Sequence, residues 1–564
     1  MLRACLIGAS LALLACAPTA RPSVGSDTGG GADASARKSL TVAIQREPAM
    51  FHDDLQVGGA ARSGGVQNAV LIVHEYLMAE VIPGVRFEPR LASEAISVEK
   101  GTWRVRPDGA METTWKLRPN VRWHDGRPFS SDDLVFSFGV YKDPEVLNTI
   151  GTAIRLMDSV AAPDPNTLVV YWSAPFLNAA TAPGLIPMPR HLLEDLYVND
   201  KANFLSSPRF TTSFVGLGPY RLQHWELGSH IEFSRFEDYY SGRPRISNLV
   251  LRFISDSQAM VASALAGAVD AVLPTGVELD AALDLRQRWE GTGNQVLVAP
   301  DGKFDFLEIQ HRPEYARPPN GLTNQLVRQA LYQATDRQVL AEVLTSGLAP
   351  VADSWFAPTD PLRPQVESAI PQFPFDRARA QELLSRAGWL RTGDGTLVGE
   401  QGGEAFDISV HAQEGGGRQT VQNVVADSWK AVGARVAIDV IPVNLIQDNE
   451  YAAKLPGARV FTLPGDRLYT DRMHSGLASS PANRWTGNNR GGYANPRADS
   501  IYDRMVTTID ERERIPLHRE LLQELMGDVA LMPTFWRIDA VLVLKGVTGI
   551  DGRTTWNVSQ WDRV

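Results

Sequence analysis

Both cysteines of the chain, Cys5 and Cys16, fall within its first sixteen residues, so everything after them must fold without a disulfide. A length of 564 residues makes that feasible, because the buried share of the surface grows with chain length. A chain this long also exceeds one hydrophobic core and should divide into at least two lobes. The same cysteines mark the start. Arg3 is the only early charge, an apolar run extends from Leu6 to Leu14, and Leu13-Leu14-Ala15-Cys16 has the form of a lipobox. The run is too short to span a bilayer as a mature helix. The pattern predicts a signal peptide over residues 1–15, cleavage before Cys16 and lipidation of its thiol, which tethers the protein to a membrane. An ordinary secretory signal with an incidental cysteine is the plainer alternative.

Residues 16–37 are small, polar and glycine-rich, with Gly29-Gly30-Gly31 among them, and they lack the apolar surface needed to order themselves. They read as a flexible stalk. No strand precedes the glycines and no Gly-Lys-Ser/Thr follows, so a phosphate loop is not supported. The formal charge of −10 becomes −11 once Arg3 is lost, and the basic residues are scattered, which argues against a nucleic-acid partner. No later segment approaches the roughly 20 apolar residues of a membrane-spanning helix.

Periodicity predicts a mixed α/β chain. Leu40, Val42 and Ile44 alternate as a first strand, and Trp103-Arg104-Val105, the turn Pro107-Asp108-Gly109 and Thr113, Trp115 and Leu117 read as a hairpin. Ser130 with Asp133 makes a capping-box start for a helix through Leu134, Phe138 and Tyr141. Asp256, Thr323, Asp336, Asp376 and Asp510 are candidate caps of further helices, with Gly267, Gly347 and Gly388 as stops. Val421, Val424, Val425, Trp429 and Val432 give a helical stripe, Gly433 ends it, and Val436, Ile438 and Val440 alternate as a strand, the helix-to-strand unit of an α/β layer. Val541 to Leu544 is a last strand candidate. Where the chain passes between lobes is not visible in this pattern.

A search for catalytic groups returns little. Gly-x-Ser-x-Gly is absent, His74-Glu75 lacks the second histidine of a zinc-protease helix, and Ser35-Ala36-Arg37-Lys38 lies in the stalk, where no oxyanion hole could be held. His52-Asp53-Asp54 is the best metal candidate by ligand type, yet adjacent residues rarely converge on one ion, and a solvated loop is the stronger reading. His124-Asp125-Gly126 reads as a polar turn with Gly126 at positive φ. No catalytic residue, cofactor or metal site is expected. Of the thirteen tryptophans, Trp115, Trp123 and Trp429 occupy periodic positions and belong in a core. Trp355 and Trp485 lie in Pro/Asn/Gly-rich segments and are candidate walls of a binding pocket.

The run Trp115-Lys116-Leu117-Arg118-Pro119-Asn120-Val121-Arg122-Trp123-His124-Asp125-Gly126-Arg127-Pro128-Phe129-Ser130-Ser131-Asp132-Asp133-Leu134-Val135-Phe136-Ser137-Phe138 closely resembles the signature of family 5 extracellular solute-binding proteins, the oligopeptide, dipeptide and nickel receptor group. Further matches follow in order: Gly216-Leu217-Gly218-Pro219-Tyr220, Asp238-Tyr239-Tyr240, Ala266-Gly267-Ala268-Val269-Asp270, Val327-Arg328-Gln329-Ala330-Leu331 with Thr335-Asp336-Arg337, Phe375-Asp376 through Ala387-Gly388-Trp389, and Tyr493-Ala494-Asn495-Pro496 with Asp499. The resemblance covers roughly residues 38–545.

The resemblance implies an α/β, two-lobed periplasmic-binding-protein fold of the large three-subdomain form, with hinge strands. Residues 38–300 would form lobe I with its added subdomain, 301–530 lobe II, and 531–564 a return to lobe I. It implies a substrate-binding lipoprotein of an ABC importer, not an enzyme, with an oligopeptide-like solute as ligand and the permease and ATPase subunits as partners. A monomer in the cell envelope is expected, on the outer face of the cytoplasmic membrane or in the periplasm. A nickel chelate or oligosaccharide as solute, a sensing lipoprotein, and a hydrolase on the same fold are the alternatives. In peptide-binding members an Asp of lobe II pairs with the ligand's amino terminus. Asp466 in Leu463-Pro464-Gly465-Asp466 is the counterpart. It lacks the Asp-Pro pair that usually follows, and Asp471 competes with it.

Overall fold

Local capping chemistry sets most helix starts. In the computed structural model, which describes residues 38–52, 66–82, 86–146, 152–180, 184–400, 403–415, 417–446, 448–465, 472–552 and 554–564, the capping box of Ser130 and Asp133 opens the helix Ser131–Lys142. The Asp256 carboxylate accepts from the Ala259 N–H at the head of Ser257–Leu265. Asp336 and Asp376 do the same for Arg337–Thr345 and Arg377–Arg386. Thr323 misses by one position. Asn324 caps Gln325–Ala334 through the Leu326 N–H, while the Thr323 hydroxyl donates to the Pro319 carbonyl. Gly267, Gly347 and Gly388 take positive φ just past their helices, a conformation that costs glycine nothing.

Ten of the described strands assemble into one sheet. Its order runs Arg435–Val440, Asp407–Ala412, Ala458–Pro464, Gln295–Ile309, Leu531–Val543, Ala271–Val272, Ser39–Ile44, Asn248–Phe253, His230–Arg235 and Tyr220–Glu226. Ser39–Ile44 is parallel to Asn248–Phe253 and to Ala271–Val272, and Asp407–Ala412 is parallel to Arg435–Val440. Helix Arg418–Ala431 supplies the crossover of the last pair, as the apolar stripe predicts. A separate four-stranded antiparallel sheet contains the expected hairpin, with Trp103 opposite Thr113.

Two strands stand apart because each enters more than one core. Val296, Ala540 and Leu542 pack with residues 43–289, and Val541 and Val543 pack with Leu40, Val42 and Ile44. Further along the same strands, Phe304, Phe306, Leu307, Phe535 and Trp536 pack into a different core that spans Phe304 to Trp536. The gap between these cores coincides with a slip in the pairing of the two strands. Pro300 faces Ile538 and Phe304 faces Trp536, leaving residues 301–303 opposite Arg537 alone. A further core, Leu77 to Leu217, holds Trp115 and Trp123 fully buried, and Trp429 is fully buried in the Phe304–Trp536 core. The Trp429 indole N–H donates to the Leu331 carbonyl at 3.1 Å and the Thr335 hydroxyl at 3.0 Å, which settles its one polar atom.

Candidate functional site

The slipped region of the two shared strands gathers an unusual density of charge. Asp305 is fully buried, and its carboxylate accepts from the Thr462 hydroxyl at 2.6 Å. The Arg537 guanidinium reaches two carboxylates of the strand Gln295–Ile309, 3.4 Å from Asp305 and 3.8 Å from Asp301. Lys303 adds a second cation 3.5 Å from Asp301. Burial pushes the Asp305 carboxyl above its ordinary pKa, and Arg537 opposes that push. Asp539 has less help. Burial first, then the charge of Asp301, raise it to about 6 against the pull of Lys303 and Arg537.

The strand Ala458–Pro464 lies beside this cluster. On one side it pairs with the shared strand from Lys303↔Pro464 to Ile309↔Ala458. On the other it meets Asp407–Ala412 only at Val410↔Ala458 and His411↔Arg459. From Val460 to Pro464 that second edge has no strand partner among the described residues. The strand ends where Gly465 donates its N–H to the Gly302 carbonyl at 2.7 Å. A Cβ at Gly465 would stand 2.6 Å from the Trp536 ring, so only glycine lets the chain approach the shared strands this closely.

The sequence-predicted positions distribute unevenly around this region. Asp466 and Asp471 follow Gly465 directly in the chain, and both lie outside the described residues, as do Cys16, Asp53 and Asp54. Trp355 is buried beside Phe356 in the Phe304–Trp536 core, and its indole N–H has no hydrogen-bond partner among the described residues. Trp485 is buried at φ +62, with the Lys454 ammonium 5.0 Å from its ring centroid.

Three histidines are structural in a way their sequence context does not announce. His52 is buried rather than solvated, its ring 5.8 Å from that of His74. Gly126 has the expected positive φ, yet His124 is itself buried. One ring nitrogen of His124 accepts from the Gly216 N–H at 3.2 Å and the other donates to the Gly218 carbonyl at 3.0 Å, so the turn clamps the Gly-x-Gly-Pro-Tyr segment. His74 contacts the Pro187 carbonyl, and Glu75 pairs with Arg90 at 2.9 Å and accepts from Tyr239. Among the described residues no group of three or more His, Cys, Asp or Glu side chains is arranged to hold a metal, and no helix is long and apolar enough to cross a membrane.

Asp301, Asp305, Arg537 and Asp539 escape sequence reasoning. The signal was a carboxylate inside the apolar alternation Phe304-Asp305-Phe306-Leu307, which a strand tolerates only where a counter-charge waits.

Comparison with known proteins fits this geometry. Residues 87–475 match the model of bacterial extracellular solute-binding proteins, family 5. The oligopeptide-binding protein AppA of Bacillus subtilis is 22% identical over 474 residues, covering 80% of this chain and 81% of AppA. The nickel-binding periplasmic protein of Escherichia coli is 22% identical over 473 residues, covering 79% and 82%. Among solved structures, AppA in complex with a nonapeptide superposes with a TM-score of 0.70 at 20% identity, over 93% of this chain and 99% of AppA. The periplasmic EDTA-binding protein EppA reaches 0.75 at 17% identity, over 93% and 96%. These likenesses establish an α/β periplasmic-binding-protein fold, and the family match spans well over half of the sequence. The chain belongs to the bacterial extracellular solute-binding proteins, family 5.

Proposed function

We propose that this protein is the substrate-binding lipoprotein of an ABC importer, anchored through Cys16 and carrying an oligopeptide-like solute to a membrane permease and its ATPases. Residues 38–300 with 531–564 act as one rigid half and residues 301–530 as the other, joined by the strands Gln295–Ile309 and Leu531–Val543. Slipped pairing opposite Arg537 gives those strands a place to bend, and closure then hides the guest from water.

The observation that supports a peptide best is the open edge of Ala458–Pro464 from Val460 onward. The N–H and C=O groups of that edge, which meet no strand among the described residues, can take an extended peptide as one more strand, which gives affinity without demanding a particular side-chain sequence. In this reading Asp466, one residue beyond Gly465 in the chain, is the carboxylate that pairs with the peptide's ammonium group. No chemical conversion is part of the cycle: the guest leaves as it arrived.

Gentle denaturation of the purified protein, followed by mass spectrometry of what is released, tests the ligand class. Short peptides are expected. Recovery of a sugar or metal chelate would overturn the peptide assignment, and release of a hydrolysed product from a supplied peptide would overturn the transport role.

A further inference from the structure

The large sheet ends on one side at Arg435–Val440, whose outer edge no strand covers among the described residues. Its ladder with Asp407–Ala412 is parallel and uninterrupted from Asp407↔Arg435 to Ala412↔Val440. The Arg435 N–H donates to the Phe406 carbonyl and the Ile441 N–H to the Ala412 carbonyl. Between them, the Gln422 side-chain amide donates to the Val410 and Asp439 carbonyls. Odd-numbered residues therefore turn their backbone groups inward. By the alternation of a strand, Val436, Ile438 and Val440 turn theirs outward, where no described group meets them.

Side chains along this edge stand in solvent on both faces. Ala437 and Asp439 are exposed on one face. On the other, Val436 packs against the Phe304–Trp536 core, yet Ile438 is 42% and Val440 43% exposed. Edge strands are ordinarily protected by proline, lysine or a bulge. Arg435–Val440 has none of these, and its two charges, Arg435 and Asp439, are of opposite sign.

We propose that Arg435–Val440 is a self-pairing edge, through which two copies of this chain join antiparallel about a two-fold axis at Ala437. Outward-facing residues must meet outward-facing residues, so Val436 of one copy faces an even-numbered residue of the other. With Val436 opposite Ile438, each such pair exchanges two N–H···O=C bonds, and Arg435 falls opposite Asp439 on both sides of the axis. Opposite charges at facing positions attract, and side chains stand closest in the pairs that exchange no backbone bonds, to which these belong. Asp407 holds Nε and Nη2 of the Arg435 guanidinium, both at 2.5 Å, so Nη1 is the nitrogen that meets the second copy. Ala437, the smallest side chain of the strand, lies where the two backbones come nearest. Slipping the pairing by two residues in either direction sets both charges against uncharged residues, and a parallel pairing sets like charges together. Asp407–Ala412 and Ala458–Pro464 separate this edge from Gln295–Ile309, so joining two copies leaves the slipped region at Arg537 untouched.

A strand of this length makes a small interface, so the dimer should be weak and is read by concentration. Sedimentation of the full chain, with Cys5 and Cys16 replaced by serine, is compared at about 5 µM and about 500 µM, which bracket a weak association. The natural edge is expected to pass from mostly monomer to mostly dimer. Arg435→Glu and Asp439→Lys each set like charges opposite one another and should move that transition at least tenfold upward in concentration. An equal mixture of the two variants regains opposite charges in the mixed pair and should dimerise like the natural edge. A folding defect in either variant would not be repaired by mixing. In the same cysteine-free background, oxidation should cross-link Ala437→Cys into a dimer, because facing Cα atoms of a pair without backbone bonds stand about 4.5 Å apart, within disulfide reach. A chain that stays monomeric at both concentrations, or a dimer that neither charge substitution weakens, would overturn the pairing. Loss in both variants without recovery in the mixture, or no cross-link through Ala437→Cys, would overturn it as well.

Discussion

The carboxylate of Asp305, on one of the two strands shared between cores, lies 3.4 Å from the guanidinium of Arg537 on the other. This pair spans the point where the strands slip, and it is buried on the Asp305 side and partly open on the Arg537 side. Removing the carboxylate should therefore hurt the joint itself. Asp305→Ala is expected to cost about 3 kcal/mol, toward the lower end for breaking a buried pair because Arg537 keeps Asp301. Asp305→Asn should cost less, since its amide oxygen can still accept from Thr462. Urea unfolding of both variants checks the order, and an unchanged midpoint for the alanine variant would contradict it.

Gly465 allows the chain to lie against Trp536. Gly465→Ala places a methyl group 2.6 Å from that ring, so the loop or the strand must move. Overpacking of this kind costs about 1–3 kcal/mol. Solute affinity should drop as well, because the open edge of Ala458–Pro464 ends there. Pairing Gly465→Ala with Trp536→Leu should recover part of the loss, and calorimetry of the double variant reads it.

His124 predicts acid sensitivity. Burial holds its pKa down at about 4, while the unfolded chain titrates near 6.5. The folded state thus binds fewer protons than the unfolded state across that window. Stabilisation is whole above pH 6.5, declines as pH falls, and is gone below about 4, a total of about 3 kcal/mol. His124→Gln should flatten the dependence of the unfolding midpoint on pH between 6.5 and 4. Identical slopes for variant and natural chain would show that the clamp on Gly216 and Gly218 does not titrate.

Asp539 acts in the opposite sense. Its folded pKa, raised to about 6, means that ionisation is resisted, so the group weakens the fold above that pH and ceases to do so as pH falls below the unfolded value. Asp539→Asn should raise the unfolding midpoint at pH 7.5 and have no such effect at pH 3.5. A lower midpoint at pH 7.5 would contradict the assignment.

Much of the fold was legible because helix starts and α/β periodicity are local. Ser130 with Asp133, Asp256, Asp336, Asp376 and the Trp429 stripe each act within a few residues, and each forms as expected. The shared strands were not legible for the opposite reason. Only Val541 to Leu544 read as a strand, whereas the element is Leu531–Val543, because Pro533, Thr534, Arg537 and Asp539 break its apolar run. Those residues answer to partners more than 200 positions away, such as Asp305 and Asp301. Arg459 was hidden likewise: its burial depends on Glu308 in a distant strand. Trp355 and Trp485 were singled out by loop composition, which reports where the chain turns but not what it turns against.

The distance between spin labels at Leu227→Cys, between the strands Tyr220–Glu226 and His230–Arg235, and at Leu390→Cys, next to Trp389 of the Phe304–Trp536 core, both exposed, measures closure most directly once Cys5 and Cys16 are replaced by serine. Adding back the solute recovered from the protein should shorten that distance, and removing it should restore the longer one. A distance that is the same loaded and empty would contradict capture by two halves closing on a guest.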